Sequence, residues 1–358
     1  MTVRLRSSLA QVPAYVPGKP PVARAGVTSY KMSSNENPYA PMPAMVEAAQ
    51  AAVATMNRYP DMSVRELHAA LADRLGVPAD HIASGTGSSG VLQQLVQATC
   101  NEGDEVVFAW RSFEAYPIVV AVNGAVARPV PLRADESHDL TAMAAAVTDR
   151  TRLVLVCQPN NPTGVAATRA ELDAFIAAVP ANVLIVIDEA YVEFITDPDI
   201  ADGLELYRRH ENVAVLRTFS KAYGLAGLRF GYAVAHAPVA AALRACAVPF
   251  GVSAPAQAAA LAALECEPEL LKRVQHIIDA RTRVTAALRA DGWTLPDSQS
   301  NFVWLRLGEH SPAFAALCEE HGLTVRPYGT EGVRITVGDA AADDRFLAVA
   351  HEWRASHA

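Results

Sequence analysis

Lys221 closes the segment Thr218-Phe-Ser-Lys221, and Arg229 follows it by eight positions. A lysine amine can attack a carbonyl covalently or carry a proton, and an arginine fork suits an anion. Two more polar segments lie upstream, Cys157-Gln-Pro-Asn-Asn-Pro-Thr-Gly164 and Asp188-Glu-Ala-Tyr191. Earlier still, Ser84-Gly-Thr-Gly-Ser-Ser-Gly90 opens an apolar helical pattern through Val91, Leu92 and Leu95. A phosphate at a helix N-terminus is stabilised by the dipole and the orphan N–H donors there, and Gly87, Ser88 and Ser89 suit that task. Each segment also has a plainer account. Asp188 could cap a helix, Asn161-Pro-Thr-Gly164 could be a turn, and the Gly/Ser loop could simply end a strand. Their joint occurrence in order points to one site.

The elements that must position these residues follow from periodicity. Glu105–Phe108, Leu153–Cys157, Val183–Ile187 and Val213–Leu216 are short apolar runs, the signature of strands buried on both faces of a parallel sheet. Thr168-Arg-Ala-Glu171 is a capping box between two of them, starting a helix with Leu172, Phe175, Ile176 and Val179 on its apolar side, so this region is a βαβ unit. Ligands of such sheets bind beyond the carboxyl ends of the strands, where the polar segments stand. Ser63-Val-Arg-Glu66 reads as a second capping box, with its helix ending at Gly76. The breakers Pro13, Pro17, Gly18, Pro20, Pro21 and Gly26 make the first stretch an extended arm. After about residue 245, Ala-rich helices give way to the strand-like Asn301–Leu305, a helix around 312–321 and Gly332–Val337, an α+β texture. The expected division is an arm over 1–32, a large α/β domain over 33–240 and a smaller α+β domain over 241–358.

Composition narrows the class. A chain of 358 residues exceeds the roughly 250–300 at which one core stops growing, so two unequal domains are expected. A net charge of −8 without any Lys/Arg cluster argues against nucleic acid or an anionic membrane as partner and favours small molecules. The five cysteines are far apart, which suggests neither a zinc site nor a disulfide framework and fits reduced thiols in a cytoplasm. Met1–Arg6 lacks the apolar stretch of a signal peptide, and no apolar run approaches a membrane span. No metal site is expected. His68, His81 and His321 read as solvated surface.

In order and spacing these segments resemble the fold-type I pyridoxal-phosphate aminotransferases, densely over residues 33–232 and more thinly to the end. The resemblance implies that Lys221 holds the cofactor aldehyde as a Schiff base and then shuttles the substrate's α-proton. It assigns Asp188 to the pyridine nitrogen, Tyr191 and Asn161 to the ring hydroxyl oxygen, and Phe113 to the ring face. Gly87, Ser88, Ser89, Thr218, Ser220 and Arg229 fall to the phosphate. Tyr59, in Asn57-Arg-Tyr-Pro60, matches a tyrosine that reaches the neighbouring subunit's cofactor, which implies a homodimer. Arg334 and Arg326 match arginines for substrate anions, and Asn35 and Tyr15 the substrate wall.

Within that family the segments Tyr15-Val-Pro-Gly-Lys19, Asn35-Glu-Asn-Pro38, Asn57-Arg-Tyr-Pro60 and Thr218–Leu225 look like the branch of histidinol-phosphate and aromatic amino acid aminotransferases. Trp110-Arg-Ser-Phe-Glu-Ala-Tyr116 and Val248-Pro-Phe-Gly-Val252 are more similar to the aromatic enzymes, and bring Trp110, Phe113, Tyr116 and Phe250 as an apolar wall. The implied reaction moves an amino group between an aromatic L-amino acid and 2-oxoglutarate. Histidinol phosphate as amino donor is the alternative, and a pyridoxal-binding sensor without turnover is a second class.

Overall fold

The breakers of the arm and the alternation that follows are both carried into the computed structural model, which describes residues 3, 5–6, 9–10, 12–21 and 26–357. In chain order the elements are β1 (Tyr30–Lys31), α1 (Pro43–Val53), α2 (Arg65–Leu75), β2 (Ile82–Thr86), α3 (Gly87–Thr99), β3 (Glu105–Trp110), α4 (Ala115–Asn123) and β4 (Val126–Pro131). Then come α5 (Leu140–Ala145), β5 (Thr151–Cys157), α6 (Arg169–Ala178), β6 (Leu184–Asp188), α7 (Gly203–Arg209), β7 (Val213–Thr218), β8 (Phe230–Val234), α8 (Ala237–Ala245), α9 (Ala254–Glu265) and α10 (Glu267–Ala290). The last are β9 (Phe302–Leu305), α11 (Ser311–Glu320), β10 (Leu323–Thr324), β11 (Arg326–Tyr328), β12 (Gly332–Thr336) and α12 (Ala340–His357).

Seven strands form the main sheet in the order β2-β8-β7-β6-β5-β3-β4. The runs β5, β6 and β7 are parallel neighbours, buried along nearly their whole length, which is why they read as unbroken apolar sequence. Strand β8 runs antiparallel to both β7 and β2, so the sheet is mostly rather than wholly parallel. Beyond the four expected runs, the sheet contains β2, β4 and β8. Apolar clusters cover both of its faces, one around Phe175, Ile187 and Phe230 and the other around Leu95, Phe108 and Tyr116.

A third cluster joins Met32 to Val284, Trp293, Phe314, Phe346 and Trp353 around the sheet β11-β12-β9. Helix α9 packs with the first cluster instead, so the packing changes partner within α10 rather than at residue 240. The end of the arm docks on this last part through parallel pairing of Tyr30–Lys31 with Leu323–Thr324.

Local chemistry explains most boundaries. Thr168 and Glu171 form the reciprocal capping box expected at α6, and Gly76 ends α2 in the left-handed conformation. The box expected at Ser63 is not formed. The N-cap position is Val64, itself left-handed at φ 50°, and Asp61 takes the N–H groups of Ser63 and Arg65 at 2.9 Å each. A carboxylate two residues upstream outcompetes the serine hydroxyl, which donates to the same Asp61.

Candidate active site

Strands β5, β6 and β7 deliver their C-terminal residues to one cavity of about 320 Å³. Cys157, Asn161, Asp188, Tyr191, Thr218, Ser220 and Lys221 all line it, joined by Ser88, Ser89, Phe113 and Arg229. From the last part of the chain come Arg326, Tyr328 and Arg334, and from the arm and its continuation Tyr15, Gly18 and Ser33–Glu36. The position is the one the sheet topology predicts.

Lys221 sits at the centre. Its Nζ donates to the Ser34 carbonyl at 3.1 Å and stands 6.0 Å from the Tyr191 ring. Loss of solvent, aided by the nearby positive charge of Arg334, pushes its amine down to about 7. Such an amine is substantially neutral near physiological pH, which a nucleophile or proton carrier requires.

Asp188 lies on the floor, 4% exposed. Burial pushes its carboxyl up to about 6, against the hydrogen bonds from Tyr116 and the Ala190 amide. Tyr116 Oη donates to Oδ2 at 2.7 Å, while Oδ1 is buried with no partner of good geometry among the described residues. An ionised oxygen without a donor is costly. The site therefore asks for a hydrogen-bond donor, ideally cationic, above Asp188.

One side of the cavity is built from the start of α3, the end of β7 and Arg229. Thr86 leaves the first turn of α3 without a side-chain cap, and Ser88 and Ser89 of that turn line the cavity whereas Gly87 does not. Gly87 is left-handed at φ 76°, and a Cβ there would meet Arg229 Nη2 at 2.5 Å. Its own N–H donates to the Arg229 carbonyl at 3.0 Å. Arg229 is itself left-handed at φ 61°, a conformation a non-glycine residue holds only where its surroundings impose it. Ser220 N–H and the Thr218 hydroxyl are tied together at 3.1 Å, and Thr218 Oγ1 donates to Ser220 Oγ at 3.0 Å.

The opposite wall carries Arg334, which donates to the Asn161 amide oxygen, to Tyr328 Oη at 2.9 Å and to the Ser33 carbonyl at 2.7 Å. Its Nε is buried and unpartnered among the described residues. Asn35, fully buried and left-handed at φ 53°, donates from Nδ2 to Tyr191 Oη at 2.9 Å. Burial raises the Tyr191 hydroxyl well above its ordinary value, so it remains a proton donor.

Several expectations change. Tyr116 is not part of an apolar wall: it is wholly buried beneath the cavity and acts on Asp188. Of the four expected wall residues only Phe113 lines the cavity, since Trp110 and Phe250 lie outside it. Tyr59 is 82% exposed and stacks on Phe250 at 4.5 Å, away from this cavity. His68 is buried, not solvated, and bonds Ser84 Oγ at 2.8 Å; His81 is half-buried against Tyr207. His68 lies on α2 against Ser84 of β2 and His81 directly precedes that strand, which the apolar-run reading passed over because of its Ser and Gly. Tyr328 and Glu114 line the site although sequence reading gave neither a role. The signal was faint: Glu114 lies inside Trp110–Tyr116, singled out for its aromatic residues, and Tyr328 two positions beyond Arg326.

Among the described residues no group of His, Cys, Asp and Glu is arranged to hold a metal, and no helix is long and apolar enough to cross a membrane.

Comparison with known proteins agrees with this geometry. The family model described as aminotransferase class I and II matches residues 28–349. The chain is 60% identical over 351 residues to an aromatic amino acid aminotransferase of Streptomyces coelicolor, covering 98% of each chain. It is 54% identical to one of Thermobifida fusca, covering 98% of this chain and 97% of the other. Among solved structures, a histidinol-phosphate aminotransferase from Sinorhizobium meliloti in complex with pyridoxal-5'-phosphate superposes with a TM-score of 0.89 at 29% identity, over 100% of this chain and 99% of that one.

Proposed function

The chain belongs to the class I and II aminotransferases, and from that premise we propose that it transfers the amino group between an aromatic L-amino acid and 2-oxoglutarate. The products are an aromatic 2-oxo acid and glutamate, the cofactor is pyridoxal 5'-phosphate, and Lys221 is its anchor. The observation that carries the reading is the meeting in one cavity of a desolvated lysine, an unpartnered buried carboxylate oxygen and an uncapped helix N-terminus beside Arg229. These are the three features the cofactor's aldehyde, ring nitrogen and phosphate require.

When bound, pyridoxal phosphate supplies a carbonyl for the amino group and an electron-withdrawing ring that makes the substrate's α-proton acidic. Asp188, whose Oδ1 is buried without a partner, would accept the ring N–H and keep that nitrogen protonated. Asn161 and Tyr191 would hydrogen-bond the ring oxygen, Phe113 would cover the ring face, and Gly87, Ser88, Ser89, Thr218, Ser220 and Arg229 would hold the phosphate. Arg334, with its spare Nε, would grip the substrate α-carboxylate within the cavity that Lys221 lines. Lys221 Nζ takes the α-proton and returns it, serving as base and then as acid. Asn35 fixes Tyr191, and Tyr15 closes the substrate side.

We further propose a homodimer, in which Tyr59 completes the neighbouring site, in a cytoplasmic setting. The exposed apolar side chains Met62, Val248 and Phe250 around one cavity, with Tyr59 stacked on Phe250, support a second copy as their cover. The aromatic substrate is supported by the names of the 60% and 54% identical relatives. Competing kcat/KM values for phenylalanine, tyrosine and histidinol phosphate test it: preference for histidinol phosphate would replace the substrate and keep the chemistry. Loss of the bound cofactor's visible absorbance on adding phenylalanine, and its return with 2-oxoglutarate, tests turnover against mere sensing.

A further inference from the structure

Residues 326 and 334 stand directly opposite one another in the antiparallel pair β11–β12, so both side chains leave one face of that sheet, toward the cavity. Their partners differ in kind. Arg334 donates to neutral acceptors only, Asn161, Tyr328 and Ser33. Arg326 is held by a charge: its Nη2 meets Glu114 Oε2 at 2.5 Å, and the carbonyl oxygens of Val16 and Pro17 take further N–H groups. Glu114 also has a second cation in reach, because its Oε1 lies 3.8 Å from Arg111 Nη1. Arg111 is in turn bonded to Glu331. The Arg326 side chain is 8% exposed and that of Glu114 21%, so the pair closes the cavity edge with little solvent to screen it.

We propose that Glu114 is a specificity-determining residue, a built-in competitor that neutralises Arg326 for substrates with an uncharged side chain and yields it to the distal carboxylate of a dicarboxylic one. The proposal rests on the transaminase reading above, in which one cavity serves an aromatic and a dicarboxylic partner in turn. A bare buried guanidinium would be poorly matched to an aromatic ring's partner-free edge; paired with Glu114 it is not. For a dicarboxylate, Arg326 is available only while Glu114 is away from it. The apparent affinity falls by that fraction, so a pair open about one-tenth of the time lowers it about tenfold. Arg111 gives the displaced carboxylate a cationic place to go, which makes the exchange reversible without an unpaired charge.

The test uses the holoenzyme and two dead-end analogues, glutarate and 3-phenylpropionate, which share one carboxylate and differ at the distal end. Dissociation constants come from spectral titration of the bound cofactor. In Glu114→Gln the ratio of glutarate to 3-phenylpropionate affinity is expected to rise about tenfold. The rise should vanish in an Arg326→Gln background. Arg111→Gln, which removes the refuge for Glu114, should move the same ratio down. An unchanged or lowered ratio in Glu114→Gln, or a rise that persists without Arg326, would overturn the proposal and leave Glu114 a clasp for the arm. Failure of both analogues to bind the unaltered holoenzyme would count against the transaminase reading itself, and the proposal would fall with it.

Discussion

Among the described residues two cavities, of about 320 and 490 Å³, share the α3 region as a common wall. The larger, about 490 Å³, is lined by Asp61, His68, Ser84, Gln94, Arg244 and Phe250 among others. Its ionisable groups are already satisfied: His68 bonds Ser84, and Arg244 spends its guanidinium on the carbonyl oxygens of Asp80 and Ile82. Its unpartnered buried atom is an amide oxygen, that of Gln94. The smaller cavity holds an unpartnered oxygen of a carboxyl, an unpartnered guanidinium nitrogen and a lysine whose amine burial has pushed down to about 7. Volume does not select the reaction centre here. Unsatisfied, desolvated charge does, because only it is stabilised further when a ligand arrives.

The contrast can be broken most severely at Lys221. Lys221→Ala should lose transamination by about 10⁴-fold or more while still taking up pyridoxal phosphate non-covalently; single-turnover assays with phenylalanine, alongside equilibrium dialysis of the cofactor, measure both. Next in size, Asp188→Asn removes the buried carboxylate proposed to face the ring nitrogen and should lower kcat/KM by about a thousandfold, mainly through kcat. Steady-state kinetics on the cofactor-saturated variant decide it.

Mutations at the larger cavity should act differently. Met62→Ser with Phe250→Ser thins the exposed apolar cluster and should raise the monomer fraction in sedimentation velocity, with about a tenfold loss of activity at dilute protein that concentration restores. Persistence of the dimer, or a loss that ignores concentration, would separate this surface from assembly. His68 gives the smallest effect. Burial holds its imidazole down to about 4, so the folded chain accommodates the neutral ring while the unfolded chain takes a proton near 6.5. Stability from this group is complete above about 6.5 and is lost as pH falls toward 4. His68→Gln removes that dependence, so the drop in unfolding free energy between pH 7 and 5 should be about 2 kcal/mol smaller than in the unaltered chain. Urea titrations at the two pH values measure it.

How much of this was legible depended on where the physical signal lay. Strands β5, β6 and β7 are buried on both faces and so announce themselves as apolar runs, each ending on a residue of the site. Strand β2 carries Ser84, Gly85 and Thr86 because α3 must begin there and pack closely on β8, where a side chain at Gly231 would strike the backbone of Ser88. That closeness strips the strand of its apolar signature. Tyr116 was misread for a related reason: a buried aromatic looks the same in sequence whether it faces a substrate or holds a carboxylate from below. The Arg326–Glu114 pair joins residues more than two hundred positions apart, and no local spacing could predict it.

The central claim is that the cofactor is bound covalently through Lys221 in the smaller cavity. The chain has four lysines, Lys19, Lys31, Lys221 and Lys272, and the other three are exposed. Borohydride reduction of the holoenzyme followed by peptide mass mapping should place a single pyridoxyl group on Lys221. A label on any of the other three, or none at all in a protein that turns over phenylalanine, would contradict it.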